Sequence, residues 1–162
     1  MKIRDLTRIA FFTAVIIICS YIMIPFAVPF TLQTLGIFAS VLVLGKNKGS
    51  FAVLIYLLIG IVGVPVFSGM KGGIGVLFAP TGGYIAGFIV CAYISGLMFE
   101  KTNKPFLSCT AGLVVLYAIG TCWFYILNPV DIKSIILTCI VPFIIPDILK
   151  IIFAVYISKA LR

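Results

Sequence analysis

Two charged residues near the end of the chain lie inside an otherwise apolar segment. Asp147 and Lys150 are three residues apart, a spacing that places both on one face of a helix. A charge inside a membrane-spanning helix costs about 2.5–3.5 kcal/mol. Two interpretations are open. The pair could simply neutralise two costly charges, or Asp147 could accept ligand N–H bonds while Lys150 binds a ligand carboxylate.

Two prolines, Pro142 and Pro146, precede this pair. Proline suits the first turn of a helix. Pro146 in the first turn would place Asp147 at the positive end of the helix dipole, which keeps a carboxylate ionised.

Other polar residues mark the starts of two further predicted helices. Gln33 opens the second, and Thr81 and Tyr84 open the fourth. We expect them to join Asp147 and Lys150 in one polar cluster. A helix cap or an interfacial anchor remains an equally good interpretation of Gln33 or Tyr84 alone.

The composition indicates that these elements lie in a membrane. Apolar residues make up 63% of the 162 residues and charged residues 10%, against roughly 25% charged in a soluble domain. The net charge of +8 comes from short basic clusters between apolar runs. That pattern is typical of membrane orientation and disfavours nucleic-acid binding.

The apolar runs predict an all-α integral membrane protein with six transmembrane helices in a single domain, residues 1–162. They are Leu6–Ile24, Leu32–Leu44, Phe51–Val64, Gly82–Phe99, Phe106–Leu127 and Phe143–Leu161, with a shorter apolar helix near Asp131–Val141. The basic residues Lys46-Asn47-Lys48-Gly49 are predicted to form a loop.

Two of these spans, the second and the third, are short. About 13 residues reach only about 20 Å, against a hydrocarbon core of roughly 30 Å. Pro25–Phe30 and Pro65–Pro80 supply non-helical chain at the same end. Backbone without helical bonds must be buried or line a cavity, so we expect an outward-facing pocket under apolar loops.

The distribution of glycine supports a loop that bends around a small molecule. Nine of the fifteen glycines lie between Gly60 and Gly87, including the pairs Gly72-Gly73 and Gly82-Gly83. Paired glycines allow sharp backbone bending. Close helix packing in the membrane is the alternative.

Lysine and arginine positions set the expected orientation. With a cytoplasmic N-terminus, nine basic residues lie inside and three outside. Inside are Lys2, Arg4, Arg8, Lys46, Lys48, Lys101, Lys104, Lys159 and Arg162; outside are Lys71, Lys133 and Lys150. We therefore expect both termini in the cytoplasm.

Neither an enzyme nor a metal site is expected. The chain contains no Walker A, GxSxG or HExxH pattern, has no histidine, and carries its five cysteines singly. We predict no catalytic residue, no metal ligand and no cofactor. If the protein moves a solute against a gradient, the energy must come from a partner.

Three sequence blocks resemble the BioY family, the biotin-specific S components of energy-coupling-factor (ECF) transporters. They are Pro29-Phe30-Thr31-Leu32-Gln33-Thr34-Leu35, the region from Gly60-Ile61-Val62-Gly63 through Gly72-Gly73 to Pro80-Thr81-Gly82-Gly83-Tyr84, and Pro142-Phe143-Ile144-Ile145-Pro146-Asp147-Ile148-Leu149-Lys150. The blocks follow family order and spacing. Pro146 and Ala79 stand where the family commonly has glycine.

The resemblance implies a bacterial cell-membrane protein that captures biotin with high affinity. Its implied partners are a transmembrane T subunit and an ATPase pair. Biotin-binding residues would be Asp147, Lys150, Gln33, Gly73, Thr81 and Tyr84. Ala10 and Ala14, a small-xxx-small pair on the first helix, would dock the T subunit. The alternatives are an S component for thiamine or riboflavin, or a small membrane enzyme or channel.

Overall fold

The computed structural model describes residues 2–25 and 28–161 as a helical bundle. Its helices are α1 (Ile3–Tyr21), α2 (Gln33–Leu44), α3 (Lys46–Val62), α4 (Gly82–Thr102), α5 (Pro105–Leu127), α6 (Ile132–Cys139) and α7 (Val141–Leu161). The strands β1 (Met23–Ile24) and β2 (Phe30–Thr31) pair between α1 and α2, and a 3-10 helix (Ile74–Phe78) precedes α4. Positions 26 and 27 of the predicted non-helical stretch Pro25–Phe30, and Arg162 among the predicted inner charges, lie outside the described residues.

The predicted all-α membrane fold is confirmed. Within the part of the chain that the structure describes, three helical runs are long and apolar enough to cross a membrane: α4, α5, and Ile132–Leu161, which joins α6 to α7. Helix α2 is a shorter apolar helix of 12 residues, about 18 Å long. The six predicted spans correspond to α1, α2, α3, α4, α5 and α7, with α6 as the short additional helix.

The predicted basic loop is wrong, because Lys46–Gly49 forms the first turn of α3. Gly45 alone links α2 to α3, with a φ of 82° that favours glycine. Ion pairs hold the lysines in place: Lys46 Nζ is 3.3 Å from Glu100, and Lys48 Nζ is 2.7 Å from Asp5. Helix α3 therefore has 17 residues and is longer than predicted.

Pro146 was predicted to lie in the first turn of its helix, and this is also wrong. Helix α7 begins at Val141 and contains Pro146 in its interior. Pro142 occupies the first turn instead, where a missing N–H costs nothing. Asp147 consequently lies beyond the first turn, where the helix dipole has little effect, and its charge must be stabilised by side chains.

Helix α2 is the centre of the bundle. Nine of its twelve residues are buried, and it contacts α1, α3, α4 and α7. Large apolar side chains face outward elsewhere, including Phe11, Val114 and Phe153, as expected of surfaces that meet lipid. Close contact of α4 with α5 positions Tyr84: its ring lies against Gly120, where a Cβ atom would overlap it.

Candidate functional site

A cavity lies at the end of the bundle where α2 and α4 begin, which is the end predicted to face outward. It has an empty volume of about 530 Å³, including its open mouth. Its lining combines apolar and polar side chains from five helices and two connecting segments: Val28, Pro29, Thr31, Gln33, Thr34, Ser68, Thr81, Tyr84, Ile85, Phe88, Leu116, Tyr117, Cys139, Phe143, Asp147 and Lys150. A mainly apolar cavity with a few converging polar groups is the usual form of a small-molecule site.

Asp147 is the polar centre of this cavity. Its side chain is 4% exposed and its Oδ1 atom lies 2.7 Å from Nζ of Lys150. Tyr117 donates its hydroxyl hydrogen to Oδ2, and Thr34 donates to Oδ1 across 3.3 Å. Donors from α2, α5 and α7 therefore stabilise the carboxylate in a site almost closed to water, where an unpaired charge would be costly.

Lys150 is as deeply buried as its partner, with a side chain 6% exposed. Besides Asp147, its ammonium group contacts the face of the Phe30 ring, 4.1 Å from the ring centroid. The predicted pairing of Asp147 with Lys150 is thus present. Both residues line the cavity, so the pair lies where a ligand could contact it.

Gln33, Thr81 and Tyr84 also line this cavity. The Gln33 amide donates to the Tyr56 hydroxyl and its oxygen accepts from Thr31. Tyr84 is buried and therefore not an interfacial anchor; its hydroxyl group bonds Thr121 and the Cys139 carbonyl. Neither side chain caps a helix, and their partners hold both in fixed positions against the cavity.

Gly73 lies apart from the other predicted binding residues. It is not among the residues that line the cavity. Its φ of 93° favours glycine, and its N–H donates to the carbonyl oxygen of Gly60 at the end of α3. The structure places Gly73 as a bend in the connection from α3 to α4.

That connection is fixed to the bundle over the cavity. Phe67 is fully buried and packs edge-on against Tyr56, with ring centroids 5.6 Å apart. The Ser20 hydroxyl donates to the Val66 carbonyl at 2.6 Å, and the Trp123 indole donates to the Ala79 carbonyl at 3.0 Å. These contacts support the predicted covering loop.

Sequence reasoning missed the two hydrogen-bond donors to Asp147 from other helices, Tyr117 and Thr34. Tyr117 lies in the middle of α5, within a long apolar run. Its position far from either predicted membrane interface could have indicated a role in the site, because a buried tyrosine hydroxyl group usually needs a hydrogen-bond partner. Thr34 lies next to Gln33, and no role was predicted for it.

The predicted docking residues Ala10 and Ala14 lie away from the cavity. Both are exposed on α1, whereas Ile9, Phe12 and Ile16 on the opposite face are buried in the bundle. The two small side chains therefore lie on the outer face of α1.

Fold and cavity together define a helical membrane protein with a mainly apolar small-molecule cavity around a buried ion pair. The BioY family model matches residues 1–162, and the chain belongs to the BioY family. It is 42% identical to the biotin transporter BioY of Thermotoga maritima, over 98% of this chain and 96% of that protein. It is 36% identical to the probable biotin transporter BioY of Pyrococcus horikoshii, over 100% and 98%.

A solved structure shows the same fold. The S-component for biotin from an ECF-type ABC transporter matches with a TM-score of 0.92 and 26% identity, over 99% of this chain and 91% of that one. The family supplies a transporter's substrate-binding component, and the chain is not an enzyme.

Proposed function

We propose that this protein captures biotin as the substrate-specificity subunit of an ECF transporter and delivers it for uptake. The observation that carries the proposal is the buried Asp147–Lys150 pair, open to a mainly apolar cavity. Biotin offers two ureido N–H donors, a ureido oxygen, an apolar bicyclic ring and a carboxylate. A carboxylate, an ammonium group and an apolar wall are their complements.

The geometry of the pair supports a particular orientation of biotin. Because Lys150 Nζ and Asp147 Oδ1 are 2.7 Å apart, a single ligand group can contact both charges. The ureido group does this, since its N–H and C=O groups share one carbon atom. Asp147 then accepts a hydrogen bond from one ureido N–H group and Lys150 donates to the ureido oxygen, rather than to the carboxylate as the sequence alone predicted.

The carboxylate end of biotin would then point to the cavity mouth. Ser68 lines the cavity and lies in a tight turn closed by the backbone pairing of Phe67 with Lys71. Lys71 is exposed, so its ammonium group can reach a carboxylate at the mouth without the cost of burying a second cation. With Lys71 beside the carboxylate, Lys150 is left to bind the ureido group.

The remaining components of the transporter follow from the same proposal. A T subunit docks on the Ala10–Ala14 face of α1, and an ATPase pair supplies the energy. Both termini lie in the cytoplasm of a bacterial cell, and the cavity opens outward. The basic clusters at one end of the bundle support this orientation through the preference of lysine and arginine for the cytoplasmic side.

The nearest alternative is an S component for thiamine or riboflavin. The vitamin that stays bound to the protein during purification distinguishes the two. Protein purified in detergent without added vitamin is denatured, and the extract is assayed for all three vitamins. We expect biotin in an amount approaching that of the protein. Thiamine or riboflavin in its place would overturn the proposal. A channel is disfavoured by apolar side chains deeper in the cavity, including Phe88 and Leu116.

A further inference from the structure

Lys150 forms part of a wall between two different spaces. On one side it lines the cavity with Asp147. On the other side it borders an apolar groove between α2 and α7, together with Leu35, Leu149 and Phe153. Leu149 is 51% exposed and Phe153 is 59% exposed, so this groove opens on the surface that meets lipid. At Lys150 the wall is one side chain thick.

Phe30 covers this wall from the outside. It borders the groove beside Lys150 and a second groove beside Phe143 and Pro146, but it does not line the cavity. Its ring centroid lies 4.1 Å from Lys150 Nζ. The ring also stacks on the Phe143 ring, with centroids 6.4 Å apart. The ring thus stands between the lysine and the lipid-facing surface.

The strand pairing explains why Phe30 occupies this position. Phe30 pairs with Ile24, and Thr31 pairs with Met23. Successive side chains of a strand point to opposite sides. Thr31 accordingly lines the cavity and bonds Gln33, while Phe30 lies on the outer face.

A lysine at such a thin wall needs to be held. Its flexible stem allows the ammonium group to swing toward a more polar environment, which would leave the Asp147 carboxylate without its partner. The negative face of an aromatic ring attracts a cation within about 6 Å, and more strongly where water is excluded. An aliphatic side chain would fill the same space without this attraction.

We propose that Phe30 is a positioning residue: its ring holds the Lys150 ammonium group beside Asp147 and shields the pair from the lipid-facing groove. It acts on the ligand through Lys150 alone. An aromatic side chain is therefore required at position 30, whereas the bulk of an aliphatic one does not suffice.

The first test compares variants at position 30 in the full-length protein. Phe30→Leu should weaken biotin binding about ten- to thirtyfold and lower the melting temperature of the ligand-free protein. Phe30→Tyr keeps the ring and should restore both to near the original values. Phe153→Leu changes an aromatic residue of the same groove whose ring makes no cation–π contact with Lys150, and should alter neither. Equal effects of Phe30→Leu and Phe30→Tyr would overturn the proposal.

A double-mutant cycle shows whether Phe30 acts through Lys150. In a Lys150→Met background, Phe30→Leu should lower the melting temperature much less than it does in the unsubstituted protein, because only the stacking on Phe143 is then lost. A fall as large as in the unsubstituted protein would mean that Phe30 only fills space, and would overturn the proposal. Lys150→Gln provides a second neutral background if the Met variant does not fold. The binding readout rests on the proposed function, whereas the ligand-free melting readout does not, so the two can fail separately.

Discussion

Asp147 and Lys150 lie one helical turn apart on α7, and the Nζ atom of Lys150 is 2.7 Å from Oδ1 of Asp147. Both side chains are buried, and both line one cavity. Removing either partner strands the other charge, which typically costs 3–5 kcal/mol when a buried pair is broken. Mutations at this pair must therefore be judged by ligand discrimination as well as by loss of binding.

Lys150→Ala should weaken the binding of biotin and of biotin amide alike, by about ten- to a hundredfold. Both ligands keep the ureido oxygen to which Lys150 would donate. The control Lys133→Ala removes an exposed lysine and should have no effect. A loss confined to biotin would return Lys150 to the carboxylate role that the sequence alone predicted.

Lys71→Ala, unlike Lys150→Ala, should affect biotin and biotin amide differently. Biotin carries a carboxylate at the mouth of the cavity and biotin amide does not, so only biotin should lose affinity. Because Lys71 is exposed, the expected loss is modest, about two- to fivefold at low salt, and smaller at high salt. Titration of both ligands at two salt concentrations measures it. An equal loss for the amide would rule out a contact between Lys71 and the carboxylate.

The identity of the pair, but not its surroundings, was predictable from sequence. Charges inside an apolar run stand out because they are expensive there, and their spacing fixes a common helix face. Tyr117 was missed because a tyrosine in an apolar run carries no such cost. Its role emerges only when α5 packs beside α7 and brings its hydroxyl group to Asp147.

The fold, too, was predictable only in part from the sequence. The spans ending at Leu44, Leu127 and Leu161 were predicted to within a few residues at each end, because long apolar runs bounded by charge or proline are strong signals. The start of α3 at Lys46 was missed because its lysines are stabilised by Glu100 and Asp5, which are distant in sequence. Proline and glycine patterns report local backbone preferences only, so they cannot reveal partners that are distant in sequence.

Ala10→Trp or Ala14→Trp should block assembly with the T subunit and leave biotin binding intact. Both positions are exposed on α1 and distant from the residues that line the cavity, and a large side chain prevents the close helix approach that small residues allow. Ala118→Trp, at an exposed position on α5, is the matched control. Co-purification of the subunits measures assembly. Undiminished yield in both α1 variants would show that docking occurs elsewhere.

Cysteine labelling from outside intact cells should reach position 71 and miss position 104. Lys71 and Lys104 are both exposed, and they lie in connections at opposite ends of the bundle. The experiment uses Lys71→Cys and Lys104→Cys in a Cys122→Ser background, because Cys122 is an exposed native thiol. A membrane-impermeant maleimide reports access. Labelling at position 104 without labelling at position 71 would invert the proposed orientation.

The central claim is that the cavity around Asp147 binds biotin. The most direct measurement is calorimetric titration of biotin into the purified protein, beside Asp147→Asn and the exposed control Asp131→Asn. We expect saturable binding of one biotin per protein, retained in Asp131→Asn. In Asp147→Asn, which loses the anionic acceptor for the ureido N–H groups, affinity should fall at least about tenfold. Absence of saturable biotin binding by the folded, unsubstituted protein, or undiminished affinity in a folded Asp147→Asn variant, would contradict the account.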